Sequence, residues 1–89
     1  MSMPAEQQEH QHDHKIVVNG REKTVHTDEL SFEEVLHLAF DPVPSGPNWV
    51  FTVTYRHAAG HRPHGTLVKG QTVEIKDGTV FHATATDKS

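Results

Sequence analysis

A chain of 89 residues has room for one small domain and not for two separate cores. Its formal charge of −4 excludes the clearly basic profile of a general nucleic-acid binder, and the lack of cysteine removes disulfides, thiolate zinc sites and a thiol nucleophile together. No apolar run is long enough to span a membrane and no signal-peptide-like stretch opens the chain, so a cytoplasmic protein away from membranes is expected.

Met1 to His14 is Gln, Glu and His with almost no apolar side chain, the composition of a disordered arm, and the folded domain is expected over 15–89. Nine histidines are an unusual number for this length. His10, His12 and His14 could hold a transition-metal ion loosely, or simply solvate the arm.

Lys15-Ile16-Val17-Val18 is a short β-rich run. Asn19-Gly20 after it is the strongest short hairpin signal, because both positions tolerate φ > 0. Arg21 to Thr27 then returns as a second strand with Val25 inward, and Asp28-Glu29-Leu30 leads onward. The next segment predicts a helix. Ser31 and Glu34 form a capping box, Glu33 and Glu34 place negative charge in the first turn, and Phe32, Val35, Leu36 and Ala39 make one apolar face. Asp41-Pro42 stops it. A helix of about ten residues is not stable alone in water, so this one must lie on a sheet. Burying its Phe, Val and Leu contributes roughly 5–8 kcal/mol before entropy. His37 falls on the opposite side and His26 alternates with Val25, so both are expected to face solvent.

Asp41 to Asn48, rich in Pro, is a loop. Trp49 to Arg56 alternates cleanly: Trp49, Phe51, Val53 and Tyr55 make an apolar face, and Val50, Thr52, Thr54 and Arg56 a mostly polar one. His57 to Gly70 is a long basic connection with Leu67 reaching the core. Gln71 to Ile75 and Thr79 to Ala85 read as strands, Asp77-Gly78 between them as a second hairpin turn, and Thr86 to Ser89 as a frayed end. The order strand, strand, helix, strand, strand, strand implies two layers, an α+β roll with a mixed five-stranded sheet packed on one helix. A β-grasp pairing would lay the first and last strands parallel at the centre of that sheet.

From Lys15 to Ser89 the chain resembles a single copy of the bacterial multiubiquitin-domain family, a ubiquitin-like β-grasp family. The likeness rests on Ile16-Val17-Val18-Asn19-Gly20-Arg21, on Leu30 to Ala39, on Thr52 to Arg56, on Gly70 to Phe81, and on the closing Thr86-Asp87-Lys88-Ser89. It implies a protein modifier, or one unit of a polymodifier, with no enzymatic activity or cofactor of its own. Its expected partners are a ubiquitin-activating-like enzyme, a conjugating-like enzyme and a JAB-type peptidase, in systems tied to conjugation and to antiphage defence. Conjugation needs a thin tail, usually Gly-Gly, that threads a narrow site. Here Thr84, Ala85, Thr86, Asp87, Lys88 and Ser89 contain no glycine. Either the chain is cut from a tandem array, or its enzymes accept another end, or it is a binding or scaffold module that is never conjugated and whose contact is the histidine-rich loop after Arg56.

For the partner face, alternation turns Thr52, Thr54 and Arg56 outward on one strand and Val80, His82 and Thr84 on the last. With only Val80 apolar, a polar face, pH-sensitive through His82, is expected in place of the apolar patch of ubiquitin. Micromolar binding of a ubiquitin-binding motif peptide would refute that. His57, His61 and His64, spaced H-x3-H-x2-H, are the metal-ligand candidates, with no fourth ligand in their loop, and a histidine-based metal-binding protein is the weakest of the three readings. No nucleophile, base and orienting acid are spaced to meet, so catalysis is not expected. A monomer is expected.

Overall fold

The computed structural model describes residues 13–88. Most of the expected arm, with His10 and His12, lies outside them, as does Ser89. His14, which composition places in the arm, instead opens β1 (His14–Val18): it pairs with Val25, and its Nε2 lies 2.9 Å from Asp28 Oδ1. β1 and β2 (Arg21–Val25) are the expected antiparallel hairpin, and the turn has the predicted geometry, φ 53° at Asn19 and 82° at Gly20. Val25 is buried and His26 exposed, as the alternation requires.

A short strand, β3 (Glu29–Ser31), leads into α1 (Phe32–Ala39). The capping box is formed in both directions. The Glu34 N–H donates to Ser31 Oγ at 3.1 Å, and the Ser31 N–H donates to Glu34 Oε1 at 2.8 Å. Phe32, Val35 and Leu36 are buried and His37 is exposed. The helix ends where Phe40 turns extended, its N–H still donating to the Leu36 carbonyl at 2.9 Å.

β4 (Trp49–Arg56) runs where its alternation places it, followed by β5 (Gly65–Leu67), β6 (Thr72–Glu74) and β7 (Val80–Asp87). The main sheet has five strands in the order β2-β1-β7-β4-β5. β1 and β7 are parallel neighbours in register Val17↔Val80, and every other pair is antiparallel. This is the ubiquitin-like β-grasp arrangement, with the first and last strands side by side and β7 central.

The membership of the sheet differs from expectation in one strand. The segment expected as its fourth member, Gln71 to Ile75, pairs instead with β3 in a separate two-stranded sheet, Leu30↔Val73. The main sheet is completed by β5, inside the stretch whose composition reads as a connection, with buried Leu67 opposite Val53. For the same reason Asp77-Gly78 is not a hairpin turn. Its hydrogen bonds go to β1, the Gly78 N–H to the Lys15 carbonyl at 2.8 Å and the Lys15 N–H to Asp77 Oδ1 at 2.9 Å. The turn is a corner between the small sheet and the large one. β7 also continues past Ala85, because β4 is eight residues long and offers partners as far as Trp49↔Asp87.

The core lies between the large sheet and α1. Ile16, Val18, Val53, Phe81 and Ala83 from the sheet meet Phe32, Val35 and Leu36 from the helix, and Leu30, Val73 and Ile75 close it from the small sheet. Phe40, Phe51 and Tyr55 pack at its margin, Phe40 against Phe51 at 6.2 Å and Tyr55 against Phe81 at 6.3 Å between ring centroids.

Candidate partner face and C-terminal segment

The side of the large sheet that faces away from α1 is assembled by the β4–β7 register. Thr52 lies opposite Thr84, Thr54 opposite His82, and Arg56 opposite Val80. Non-consecutive parts of the chain thus bring all the expected face residues onto one surface. Thr52, Thr54, Arg56, His82 and Thr84 are exposed and Val80 is half-buried. Thr54, Tyr55, Arg56, Val80 and His82 line a shallow recess of about 210 Å³.

Three further residues belong to this face. Val17 sits beside Val80 through the parallel pairing, Thr66 sits opposite Thr54, and Val50 lies opposite Thr86. Val17 is half-buried and Val50 is 44% exposed. The face is therefore less uniformly polar than expected, with a valine pair at one end and a lone valine at the other. Val50 is visible in the alternation of its own strand. Val17 is not, because which strand lies beside β7 is a tertiary fact that no local spacing encodes.

The C-terminal segment is only in part a tail. Thr84, Ala85, Thr86 and Asp87 are rungs of β7, and the Lys88 N–H donates to the Asn48 carbonyl at 2.9 Å. A chain leaving the fold for another protein's site does so after Lys88, unless the β4–β7 ladder opens.

The loop after β4 is more ordered in its bonding than its composition suggests. His57 takes a positive φ of 60°, and its carbonyl accepts a hydrogen bond from Thr79 Oγ1 at 2.9 Å. Ala58 is buried in the core, and its N–H donates to the Pro63 carbonyl at 2.9 Å. Thr79 is fully buried and satisfied twice, since its hydroxyl also accepts from the Lys76 N–H at 3.0 Å. His57, His61 and His64 all face solvent. Among the described residues no group of three or more His, Asp or Glu side chains is placed to hold a metal ion. Nor does any helix among them have the length and apolarity to cross a membrane.

Two other histidines are engaged at the open end of the β1–β2 hairpin. His14 has Asp28 Oδ1 at 2.9 Å and Asp77 Oδ1 at 3.7 Å, and His26 Nδ1 lies 2.7 Å from Asp13 Oδ1. The His14 contacts tie β1 to the start of β3 and to the corner before β7.

Compared with known families, residues 14–87 match the family model described as multiubiquitin. No curated protein and no solved structure matches the chain.

Proposed function

Because the chain belongs to the multiubiquitin family, we propose that it is a protein modifier of ubiquitin type, or one unit of a polymodifier, joined through the segment after β7. The observation that carries this reading is the place of β7. A tag held by its C-terminal end must keep its fold while another protein grips that end. Here the last strand is the central one, paired with β1 on one side and along its whole length with β4 on the other. Load applied beyond Asp87 meets the full β4 ladder first and the β1 rungs at Val80 and Phe81 behind it, on a central and not an edge strand.

In this reading an activating-like enzyme adenylates the C-terminal carboxylate and passes it to a thiol, a conjugating-like enzyme delivers it, and a JAB-type peptidase removes it. The chain beyond Lys88 supplies the threaded segment, and Thr84 to Lys88 set where it leaves the domain. The face of Thr52, Thr54, Arg56, Val80 and His82 supplies the docking surface, mostly polar with valines at its two ends. Incubation with the activating-like enzyme and ATP, with intact-mass measurement as the readout, tests this. An adenylate or enzyme thioester supports it, and unmodified chain after prolonged incubation overturns it.

One observation favours a second reading, a binding module that is never conjugated. The residues expected to form a thin tail are zipped into a ladder as far as Asp87. Under that reading the contact is the loop of His57, His61 and His64, so the same incubation leaves the chain unmodified while substitution of those histidines abolishes partner capture.

A further inference from the structure

The two edges of the large sheet are built differently. β2, at one edge, carries Arg21, Glu22 and Lys23 in a strand of five residues, the charged pattern that discourages pairing with another chain. The opposite edge is β5, and it covers β4 only from Val53 to Tyr55. Val68 then turns away through a bend in which its N–H donates to Gln71 Oε1 at 3.2 Å and the Gln71 N–H donates to its carbonyl at 2.9 Å. Among the described residues no strand pairs with Trp49 to Thr52 on the side away from β7. In an antiparallel strand alternate residues turn both N–H and C=O to the same side, so here Trp49 and Phe51 face away from β7; the Trp49 N–H donates to the Gly46 carbonyl at 3.5 Å, and the Trp49 carbonyl with both backbone groups of Phe51 leaves a short open slot. Its side chains are uncharged. The two large hydrophobic residues most exposed among those described are Val50, at 44% within the stretch on its outer face, and Val68, at 48% where β5 ends. Beside it lies a notch of about 320 Å³ whose walls include Phe32, Phe51, Leu67 and Val68 and whose one charged group is Lys69.

We propose that this slot takes an extended peptide segment of another protein as an added strand, continuing the line of β5 along Trp49 to Thr52. The open backbone specifies a strand as the occupant, because only a strand satisfies such a row of groups. The notch specifies an aliphatic side chain on the face turned toward Phe51. Lys69, at the end where β5 stops, specifies an acidic residue just before the aliphatic run when the segment runs antiparallel to β4. A second copy of this chain is a poorer occupant. Pairing Trp49 to Thr52 with itself drives β5 of each copy against the turn at 46–48 that precedes β4 in the other. The slot shares Val50 and Thr52 with one end of the outer face but is engaged through the backbone edge of β4 and not through the C-terminal segment, so it stands whether or not the chain is ever conjugated.

The test is titration of the 15N-labelled chain with a peptide of one aspartate and then alternating Val and Thr. The expected dissociation constant is on the order of 100 µM, as for a small interface, with amide shifts at residues 50–52, 68 and 69. The same peptide N-methylated at alternate positions loses binding if backbone pairing holds it. Lys69→Glu weakens the aspartate peptide about five-fold and is rescued by a peptide with lysine in that place, the size expected of an exposed ion pair. Val68→Lys, at an exposed residue on the wall of the notch, obstructs the slot without touching the core. Shifts centred on Arg56 and His82, unchanged affinity for the methylated peptide, or concentration-dependent dimerisation through the same amides would each overturn the proposal.

Discussion

Asn19-Gly20 and Asp77-Gly78 are both turns with glycine in the left-handed region, φ 82° and 95°, and the first residue of each reaches a partner more than sixty positions away. What they hold together differs. The Asn19 amide behaves as an extra peptide unit of β1. Its Nδ2 donates to the Ala83 carbonyl at 3.0 Å, its Oδ1 accepts from the Ala83 N–H at 2.8 Å, and its own N–H donates to the Phe81 carbonyl at 3.0 Å. The β1–β7 ladder is thereby carried past the end of β1, in a part-buried place. The Asp77 carboxylate takes the Lys15 N–H at an exposed corner, where water is a ready substitute. The comparison teaches that a turn residue fixes only that the chain reverses. The partner its side chain finds decides whether the turn closes a hairpin or joins two sheets.

The sharpest way to break this contrast is Asn19→Ala. It leaves the Ala83 N–H and carbonyl without their partner and puts a Cβ residue at positive φ with no local hydrogen bond to support it. The expected loss is about 2–4 kcal/mol, read from the urea midpoint at constant slope. Asn19→Asp refines the argument. It keeps the acceptor for the Ala83 N–H but points a carboxylate oxygen at the Ala83 carbonyl, which raises the folded-state pKa, so its deficit should shrink as the pH falls toward the unfolded value of about 4 and level off below it. A deficit independent of pH would mean that the donated bond contributes little.

Much of this is legible in the chain itself. The capping box, the Asn19-Gly20 turn, the inward Val25 and the limits of β4 all come from local chemistry, whereas the parallel meeting of first and last strands comes only with the β-grasp arrangement and the family likeness. The parts that are not legible are instructive. Gln71 to Ile75 has a strand's pattern, but pattern does not name a partner, and Val73 is buried as well beside Leu30 as it would be in the large sheet. Gly65-Thr66-Leu67 is too short and too glycine-led to announce a strand, yet three rungs against β4 suffice. The outer face is readable from β4 and β7 and not from β1, since Val17 joins it only through the parallel register. Thr79 carries no sequence signal for burial. Its hydroxyl is satisfied by a carbonyl and an N–H from the His57 loop and the Lys76 corner, which only the folded chain brings together.

Thr79→Val is accordingly the next largest effect expected. The substitution keeps shape and removes the hydroxyl, leaving the His57 carbonyl and the Lys76 N–H without it in a part-buried place. A loss of about 1–3 kcal/mol should appear in thermal melts, with Thr79→Ser recovering part of it. Next come Gly20→Ala and Gly78→Ala, for which an added Cβ meets nothing within 4 Å at either position. The cost is then one of backbone conformation alone, about 1 kcal/mol and equal at the two turns. Equal costs would locate the difference between the turns in Asn19 and Asp77 and not in their glycines.

Asp77→Ala should cost least. The Asp77 side chain is 77% exposed, so the Lys15 N–H that it accepts can turn to water when the carboxylate is removed, and the expected loss is about 0.5–1 kcal/mol. The Gly78 N–H still donates to the Lys15 carbonyl, which holds the corner on β1 by backbone alone. Asp77→Asn keeps a side-chain oxygen for the same N–H and removes the charge near His14, whose Nδ1 lies 3.7 Å away. If Asn restores the whole loss, the corner is held by a hydrogen bond. If Asn falls as far as Ala, the charge facing His14 is what matters, and the difference should fade in high salt, where an exposed pair is screened. A loss from Asp77→Ala as large as that from Asn19→Ala would erase the distinction between the two turns, because it would mean that the exposed corner secures β1 as firmly as the part-buried amide does.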